Sequence, residues 1–181
     1  MKATGIVRRI DDLGRIVIPK EIRRTLHIRE SDPMEIYTDR EGQIILKKYS
    51  PIGEMTTFAK QYAESLAQVS GHVAMIADRD QFIAIAGGYK QLNGKAVSRM
   101  LEEKVNNRET IVASRGDRNF ISVCDDAGDE YQHEAIAPII CEGDIIGSVV
   151  LLENDNRSKM GEVEQKLVLS AAGFLGRQME Q

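Results

Sequence analysis

The chain has 181 residues, of which 42% are hydrophobic, and this composition excludes a globally disordered protein. No apolar run approaches the roughly 20 residues of a membrane span, and the start MKATGIVRRIDD lacks the apolar core of a secretory signal, so we expect a cytoplasmic protein with no membrane partner. The net charge of −4 is unevenly distributed: residues 1–50 carry 11 Lys and Arg against 8 Asp and Glu, and residues 51–181 carry 13 against 20. This difference predicts two domains. If the protein binds a nucleic-acid duplex, the basic domain should face it, because phosphates attract positive charge.

The first fifty residues predict a small, mostly-β domain. We predict strands over 5–10, 15–18, 34–39 and 43–48 and a helix over 20–26. Gly14 suits the turn between the first two strands, and Pro19 suits the first turn of the helix. So few elements make a poor core alone, and no disulfide or metal motif staples them. We therefore expect a homodimer through residues 1–50, with one core shared by two chains.

The domain boundary is predicted where Pro51 and Gly53 interrupt the strand pattern. We assign residues 1–50 to the first domain, residues 51–55 to a linker and residues 56–181 to the second domain. The two cysteines, Cys124 and Cys141, form no spaced framework, which is consistent with a reducing compartment.

The second domain alternates helical and strand patterns. We predict helices over 54–69, 95–105 and 161–180 and strands over 73–78, 82–86, 119–124, 133–141 and 145–153. This order indicates an α+β fold, an antiparallel sheet with flanking helices. The apolar positions that we expect to face inward are Phe58, Tyr62, Leu66 and Val69, then Val97, Met100, Leu101 and Val105, then Val163, Leu167, Ala171, Phe174 and Leu175. Because the last helix is apolar nearly all round, we expect a tetramer through the first and last helices.

Six cations among the first 24 residues are the candidate DNA-binding residues. They are Lys2, Arg8, Arg9, Arg15, Arg23 and Arg24, and Lys20 is a further cation of the same stretch. The turn after the first strand can bring several of them to one surface, and the planar arginine fork can bond phosphates or the O6/N7 edge of guanine. The alternative from charge alone is a solvated face with scattered ion pairs to acids such as Asp11, Asp12 and Glu21.

The stretch TGIVRRIDDLGRIVIPKEIRRTLHI resembles the AbrB/MazE/SpoVT swapped-hairpin family. The resemblance implies that two chains interlace their hairpins into one barrel-like, DNA-binding dimer. It also implies that Arg8, Arg15, Arg23 and Arg24 contact double-stranded DNA. One departure is His27, where the AbrB regulator has a glycine that closes the helix. The sequence therefore does not predict how this helix ends.

The stretches ILKKYSPIGE, MGEVEQK and AAGFLGRQMEQ are similar to the SpoVT branch of the family, and the second half resembles a GAF domain. This implies a transcription regulator that activates some sporulation-stage genes and represses others, at the nucleoid of the developing spore. A GAF domain often holds a small ligand, but no residue here identifies one, so the ligand is unknown.

No pattern predicts an enzyme, a metal site or a cofactor. The acidic loop 124–130 lacks the spacing of a calcium loop, and Gly87-Gly88 is not followed by a phosphate-loop lysine. His72, His133, Cys124 and Cys141 lack zinc-site spacing. Two alternatives remain: an antitoxin, although some 130 foldable residues stand where a short disordered tail is usual, and an enzyme in the second half, although no catalytic constellation is visible.

Overall fold

The computed structural model describes residues 4–125, 131–155 and 159–180. The chain divides into two compact units, Met1–Tyr49 and Ser50–Gln181. The first unit contains the helix α1 (Lys20–Thr25) and the strands β1 (Met34–Thr38) and β2 (Ile44–Lys48).

β1 and β2 form the predicted antiparallel hairpin, in which Ile36 is opposite Leu46. The turn between them is built by Asp39, whose Oδ1 accepts the N–H groups of Glu41 and Gln43. Gly42 has a φ of 79°, a conformation that glycine adopts without steric cost. The sequence pattern therefore predicted this element correctly.

The strands predicted over 5–10 and 15–18 are not formed. The turn between them is present, with the Asp11 N–H donating to the Arg15 carbonyl, but no strand pairing extends from it. Their apolar side chains remain in solvent, with Val7 86% and Val17 71% exposed. Among residues 4–49, Pro19 alone is buried, so this unit has almost no core of its own.

The segment 51–55, which we expected to be a linker, starts the second unit. Pro51–Glu54 forms a short helix, α2, and its Ile52 is buried. The helix begins there because Pro51 needs no N–H partner in a first turn and the Ser50 hydroxyl accepts the N–H of Gly53.

The second unit is an α+β domain built on a five-stranded sheet. Its elements are α3 (Thr56–Ser70), β3 (Val73–Asp78), β4 (Phe82–Ala86), α4 (Arg99–Asn106), β5 (Ile111–Ser114), β6 (His133–Cys141), β7 (Asp144–Glu153) and α5 (Glu162–Gln178). The strand order is β4-β3-β7-β6-β5, and all neighbours are antiparallel. This architecture confirms the predicted antiparallel sheet with flanking helices.

Helices cover both faces of this sheet. On one face, α3 and α5 pack buried side chains such as Leu66 and Leu175 against the strands. On the other face, Leu101 of α4 packs in a second cluster that includes Phe82 and Tyr131. The sheet is therefore buried on both sides, as the unbroken burial of Val73–Asp78 shows.

One predicted strand of this unit is wrong, and one observed strand was not predicted. Residues 119–124 form no ladder, although Ile121 and Val123 are buried as their alternation suggested. Side chains bind this segment instead: the Glu134 carboxylate accepts the Ile121 N–H, and the Tyr131 hydroxyl accepts the Val123 N–H. The edge strand of the sheet is β5, which pairs with β6.

Three of the residues predicted to face inward are exposed. Val69 and Val163 are 79% and 66% exposed, and Met100 is also exposed. Val69 lies in the last turn of α3 and Val163 in the first turn of α5. A stripe drawn only from helical spacing extends to these terminal turns, whereas the buried face of each helix is shorter.

Candidate nucleic-acid interface

The predicted DNA-binding cations occupy the first 24 residues of the first unit. Arg8 and Arg9 precede the turn at residues 11–15, and both are exposed. Arg15 ends that turn and is also exposed. Lys2 lies outside the described residues. No hydrogen bond or ion pair within the described part of the chain joins Arg15 to the arginines of α1.

α1 carries Lys20, Arg23 and Arg24. Lys20 and Arg24 are exposed, whereas Arg23 is half-buried. The Arg23 Nε donates to the carbonyl oxygen of Ile18 at 3.2 Å, which fixes the base of its guanidinium. Arg23 and Arg24 both lie in the last helical turn, where positive charge is favourable beside the helix C-terminus.

The turn between residues 11 and 15 is organised by one carboxylate. The backbone N–H of Asp11 donates to the Arg15 carbonyl at 3.0 Å, and Gly14 takes a φ of 75°. Oδ1 of Asp11 accepts the N–H groups of Leu13 and Arg15, and Oδ2 accepts Nε of Arg15 at 2.8 Å. The backbone bond from Arg15 is the main reason that the pKa of Asp11 lies below its ordinary value. The sequence analysis named Asp11 as a possible ion-pair partner and missed this organising role.

His27 ends α1 in place of the glycine that the family resemblance would put there. It takes a φ of 51°, so the histidine itself adopts the left-handed backbone conformation that a glycine would adopt there. The next N–H, of Ile28, donates to the Arg23 carbonyl at 2.7 Å, which closes the helix in the usual left-handed manner. Lys48 of β2 also donates to the His27 carbonyl, and this bond ties the helix end to the hairpin.

Beside these cations the first unit has an open apolar cleft of about 270 Å³. It is lined by Ile6, Arg8, Ile16, Val17, Ile18, Pro19, Ile22, Leu26, Ile28, Met34 and Leu46. Ten of these eleven side chains are apolar, whereas Arg8 is charged. Such a surface is unfavourable in water and is typical of an unfilled interface.

The two histidines considered for zinc have other partners. His72 contacts Glu153 and Glu164, and His133 contacts the Ser114 hydroxyl. Both cysteines are free. The described residues contain no group of three or more side chains that could hold a metal ion. Residues 126–130 of the acidic loop lie outside the described part.

The side of the sheet covered by α4 is closely packed. A pocket of about 10 Å³ lies between α4 and the strands, among residues that include Asp78, Leu101 and Ser148. This is about the room that one water molecule needs.

Among the described helices, none is long and apolar enough to cross a membrane.

Two family models match the chain. The model described as Stage V sporulation protein T C-terminal, transcription factor, matches residues 54–180. The model described as antidote-toxin recognition MazE, bacterial antitoxin, matches residues 7–54. Together they cover the two units that the structure separates.

Individual proteins extend this likeness. The chain is 52% identical over 183 aligned residues to stage V sporulation protein T of Bacillus subtilis (strain 168), and the match covers 100% of both proteins. It is 42% identical over 111 residues to the transition state regulatory protein AbrB of the same organism, covering 61% of this chain and 97% of that protein. The crystal structure of the GAF domain from an Acinetobacter phosphoenolpyruvate-protein phosphotransferase has a TM-score of 0.55 at 13% identity, covering 69% of this chain and 81% of that one. This likeness confirms the GAF-like fold of the second unit.

Proposed function

The chain belongs to the stage V sporulation protein T family of transcription factors, and on this premise we propose that it activates some sporulation-stage genes and represses others by binding duplex DNA. The observation that carries the proposal is the 52% identity over the whole chain, because it spans the arginine-bearing first unit as well as the second. We place this activity at the nucleoid of the developing spore.

The DNA-binding form that we propose is a homodimer through residues 1–50 with interlaced hairpins. The open apolar cleft and the exposed Val7 and Val17 support it, because a second copy of the same chain would supply strands and cover apolar surface together. Ile16→Asp, at the cleft, should therefore lower the mass of the full-length assembly in sedimentation equilibrium. An unchanged mass would place the dimer contact elsewhere.

In this dimer Lys2, Arg8, Arg9, Arg15, Arg23 and Arg24 would contact the duplex, each twice. Their position on one small unit and the exposure of Arg8, Arg9, Arg15 and Arg24 support this assignment. Cations that replace condensed counterions on phosphates make binding steeply salt-dependent, whereas a contact to a guanine edge adds sequence preference. Affinities of single alanine variants for duplex DNA at several salt concentrations test the assignment.

The second unit, as we propose, joins two dimers into a tetramer. The outer sides of α3 and α5 expose Val69, Val163 and Leu169, which a second copy could cover. Val163→Asp should halve the assembly mass in sedimentation equilibrium and leave the dimer through residues 1–50 intact. A tetramer that persists in this variant would contradict the arrangement.

Small-molecule sensing is a second role that we propose for this unit, and it requires that the pocket under α4 can open. The pocket under α4 has only about 10 Å³, so a ligand would have to displace core side chains to enter. A ligand that binds the folded form should raise the midpoint of thermal unfolding. A panel of metabolites that shifts nothing would favour a purely architectural unit.

The antitoxin alternative is supported by the match over residues 7–54 alone. Residues 50–181 fold as a separate unit around a five-stranded sheet, whereas the tail of an antitoxin is usually short and disordered. We therefore favour the regulator. Purified full-length protein that binds no duplex but blocks a toxin would reverse this choice.

A further inference from the structure

The two carboxylate oxygens of Asp11 have different partners. Oδ1 accepts two backbone N–H groups, from Leu13 at 3.0 Å and from Arg15 at 2.8 Å, and so shapes the turn. Oδ2 accepts Nε of the Arg15 side chain at 2.8 Å. One oxygen thus holds the backbone, and the other holds the guanidinium.

This contact engages only the inner nitrogen of the guanidinium. Arginine has five N–H donors, and Nε supplies one of them. No bond between an Nη atom of Arg15 and another described residue is formed, and the Arg15 side chain is 68% exposed. The two Nη groups form the outer fork that can grip a phosphate or the O6/N7 edge of guanine. Asp11 therefore fixes the side chain and leaves its recognition end in solvent.

Stability alone gives little reason for such a contact. An exposed ion pair contributes little to folding, because water screens it and both side chains lose freedom. The same restriction helps in binding, because a side chain that is ordered before it meets its ligand loses less entropy on contact. The pKa of Asp11 lies below its ordinary value, mainly because of the backbone bond from Arg15.

We propose that Asp11 is a positioning residue for DNA recognition, which holds the Arg15 guanidinium by Nε so that its Nη fork faces the duplex. The proposal rests on the proposed function, in which Arg15 contacts DNA. It predicts that removal of this negative charge changes the DNA affinity in the opposite direction to the one expected from charge alone. A carboxylate near phosphates repels them, so removal of an acid that only contributes charge should tighten binding, whereas removal of Asp11 should weaken it.

The chain offers a matched control in the next residue. Asp12 is exposed and makes no hydrogen bond or ion pair with another described residue. Asp12→Asn removes the same charge beside the same turn. Asp11→Asn keeps a side-chain oxygen for the Leu13 and Arg15 N–H groups and replaces Oδ2 by an NH₂ that cannot accept the Nε bond.

The experiment uses the full-length chain and two DNA probes: duplexes that the wild type enriches from a randomised pool, and the unselected pool. Asp11→Asn should weaken binding to the enriched duplexes about two- to fivefold for each subunit that contacts DNA, the range typical of an exposed pair. Asp12→Asn should bind both probes as well as the wild type or slightly better. In an Arg15→Ala background, Asp11→Asn should no longer weaken binding.

Two results would overturn the proposal. One is Asp11→Asn binding as tightly as Asp12→Asn. The other is an equal loss in the Arg15→Ala background, because Asp11 would then act through the fold of the turn and not through the guanidinium. Failure of the proposed function looks different: the wild type would enrich no duplex, or Arg15→Ala alone would bind like the wild type.

Discussion

The imidazole of His72 lies against the carboxylate of Glu153, with Nδ1 2.6 Å from Oε2. His72 directly precedes β3 and Glu153 ends β7, so the contact joins neighbouring strands at one end of the sheet. The other ring nitrogen, Nε2, lies 3.6 Å from Oε1 of Glu164 in the first turn of α5. One largely buried side chain therefore links the sheet to the closing helix.

Removal of this link should destabilise the second unit. His72→Ala leaves two carboxylates without their shared partner, and we expect a loss of about 1–3 kcal/mol in the free energy of unfolding. Urea unfolding followed by circular dichroism measures it. Lys166→Ala is the control, because its pair with Glu162 is exposed and should contribute well under about 1 kcal/mol. Equal losses in the two variants would contradict the role of His72.

The same cluster predicts a loss of stability in acid. Burial opposes ionisation of Glu153 and Glu164, but hydrogen bonds from backbone N–H groups and from His72 outweigh it, so the pKa of each lies below the ordinary value of 4.5. A carboxylate with a lowered folded-state pKa stabilises fully above its unfolded value, and this stabilisation is lost as the pH falls through the folded value.

The free energy of unfolding should therefore fall below about pH 4.5 and continue to fall through the lowered values. Glu153→Gln should make this decline shallower, because it removes one of the two carboxylates. Glu64→Gln, an exposed change on α3, should keep the wild-type slope. Urea unfolding at a series of acid pH values is the measurement, and identical slopes for Glu153→Gln and wild type would refute the assignment.

Gly176 predicts a steric limit between α5 and β6. A Cβ at this position would lie 2.1 Å from the carbonyl oxygen of Ile140, so Gly176→Ala must push the helix from the sheet. We expect a cost of about 1–3 kcal/mol or more. Gly173, on the same helix, would place its Cβ 4.0 Å from Nη1 of Arg177, so Gly173→Ala should instead stabilise by up to about 1 kcal/mol. Effects of the same sign in urea unfolding would argue against this packing.

At position 27, glycine should stabilise the end of α1 more than the present histidine does. Its φ of 51° is costly for a residue with a Cβ, so His27→Gly should stabilise the end of α1 by about 1 kcal/mol. The local readout is amide exchange at Ile28, whose N–H closes the helix onto Arg23, and exchange should slow in the variant. Thr25→Gly, at the last residue of the helix, should make this exchange faster. Faster exchange in His27→Gly would contradict the account.

One element was easy to predict from the sequence because the hydrogen bonds of its turn are local. The β1–β2 hairpin depends on Asp39 and Gly42, and both lie within the turn that they form. Residues 5–10 and 15–18 have the same strand pattern, but they form no ladder in this structure. A sequence pattern reports the preference of a segment and not the identity of its partner.

The strand prediction over residues 119–124 was wrong for a related reason. Ile121 and Val123 alternate like a buried strand, yet their N–H groups bind the side chains of Glu134 and Tyr131. In the candidate site, residue type and family resemblance selected the arginines, and their contact with DNA stays a prediction. The bond between Oδ2 of Asp11 and Nε of Arg15 was not, because it depends on atomic geometry within the turn.

The salt dependence of duplex binding decides whether the arginines of the first unit contact DNA. Full-length wild type and the variants Arg8→Ala, Arg15→Ala, Arg23→Ala and Arg24→Ala would be titrated with enriched and unselected duplexes at several salt concentrations. We predict a steep wild-type dependence, with a slope of about −0.9 per phosphate contact, that drops by about one for each phosphate contact removed and by two when both subunits lose it. A lost guanine contact should instead cost about 1–3 kcal/mol on the enriched duplexes alone. Unchanged affinity and slope in all four variants, with the fold intact by circular dichroism, would show that the DNA-binding surface lies elsewhere.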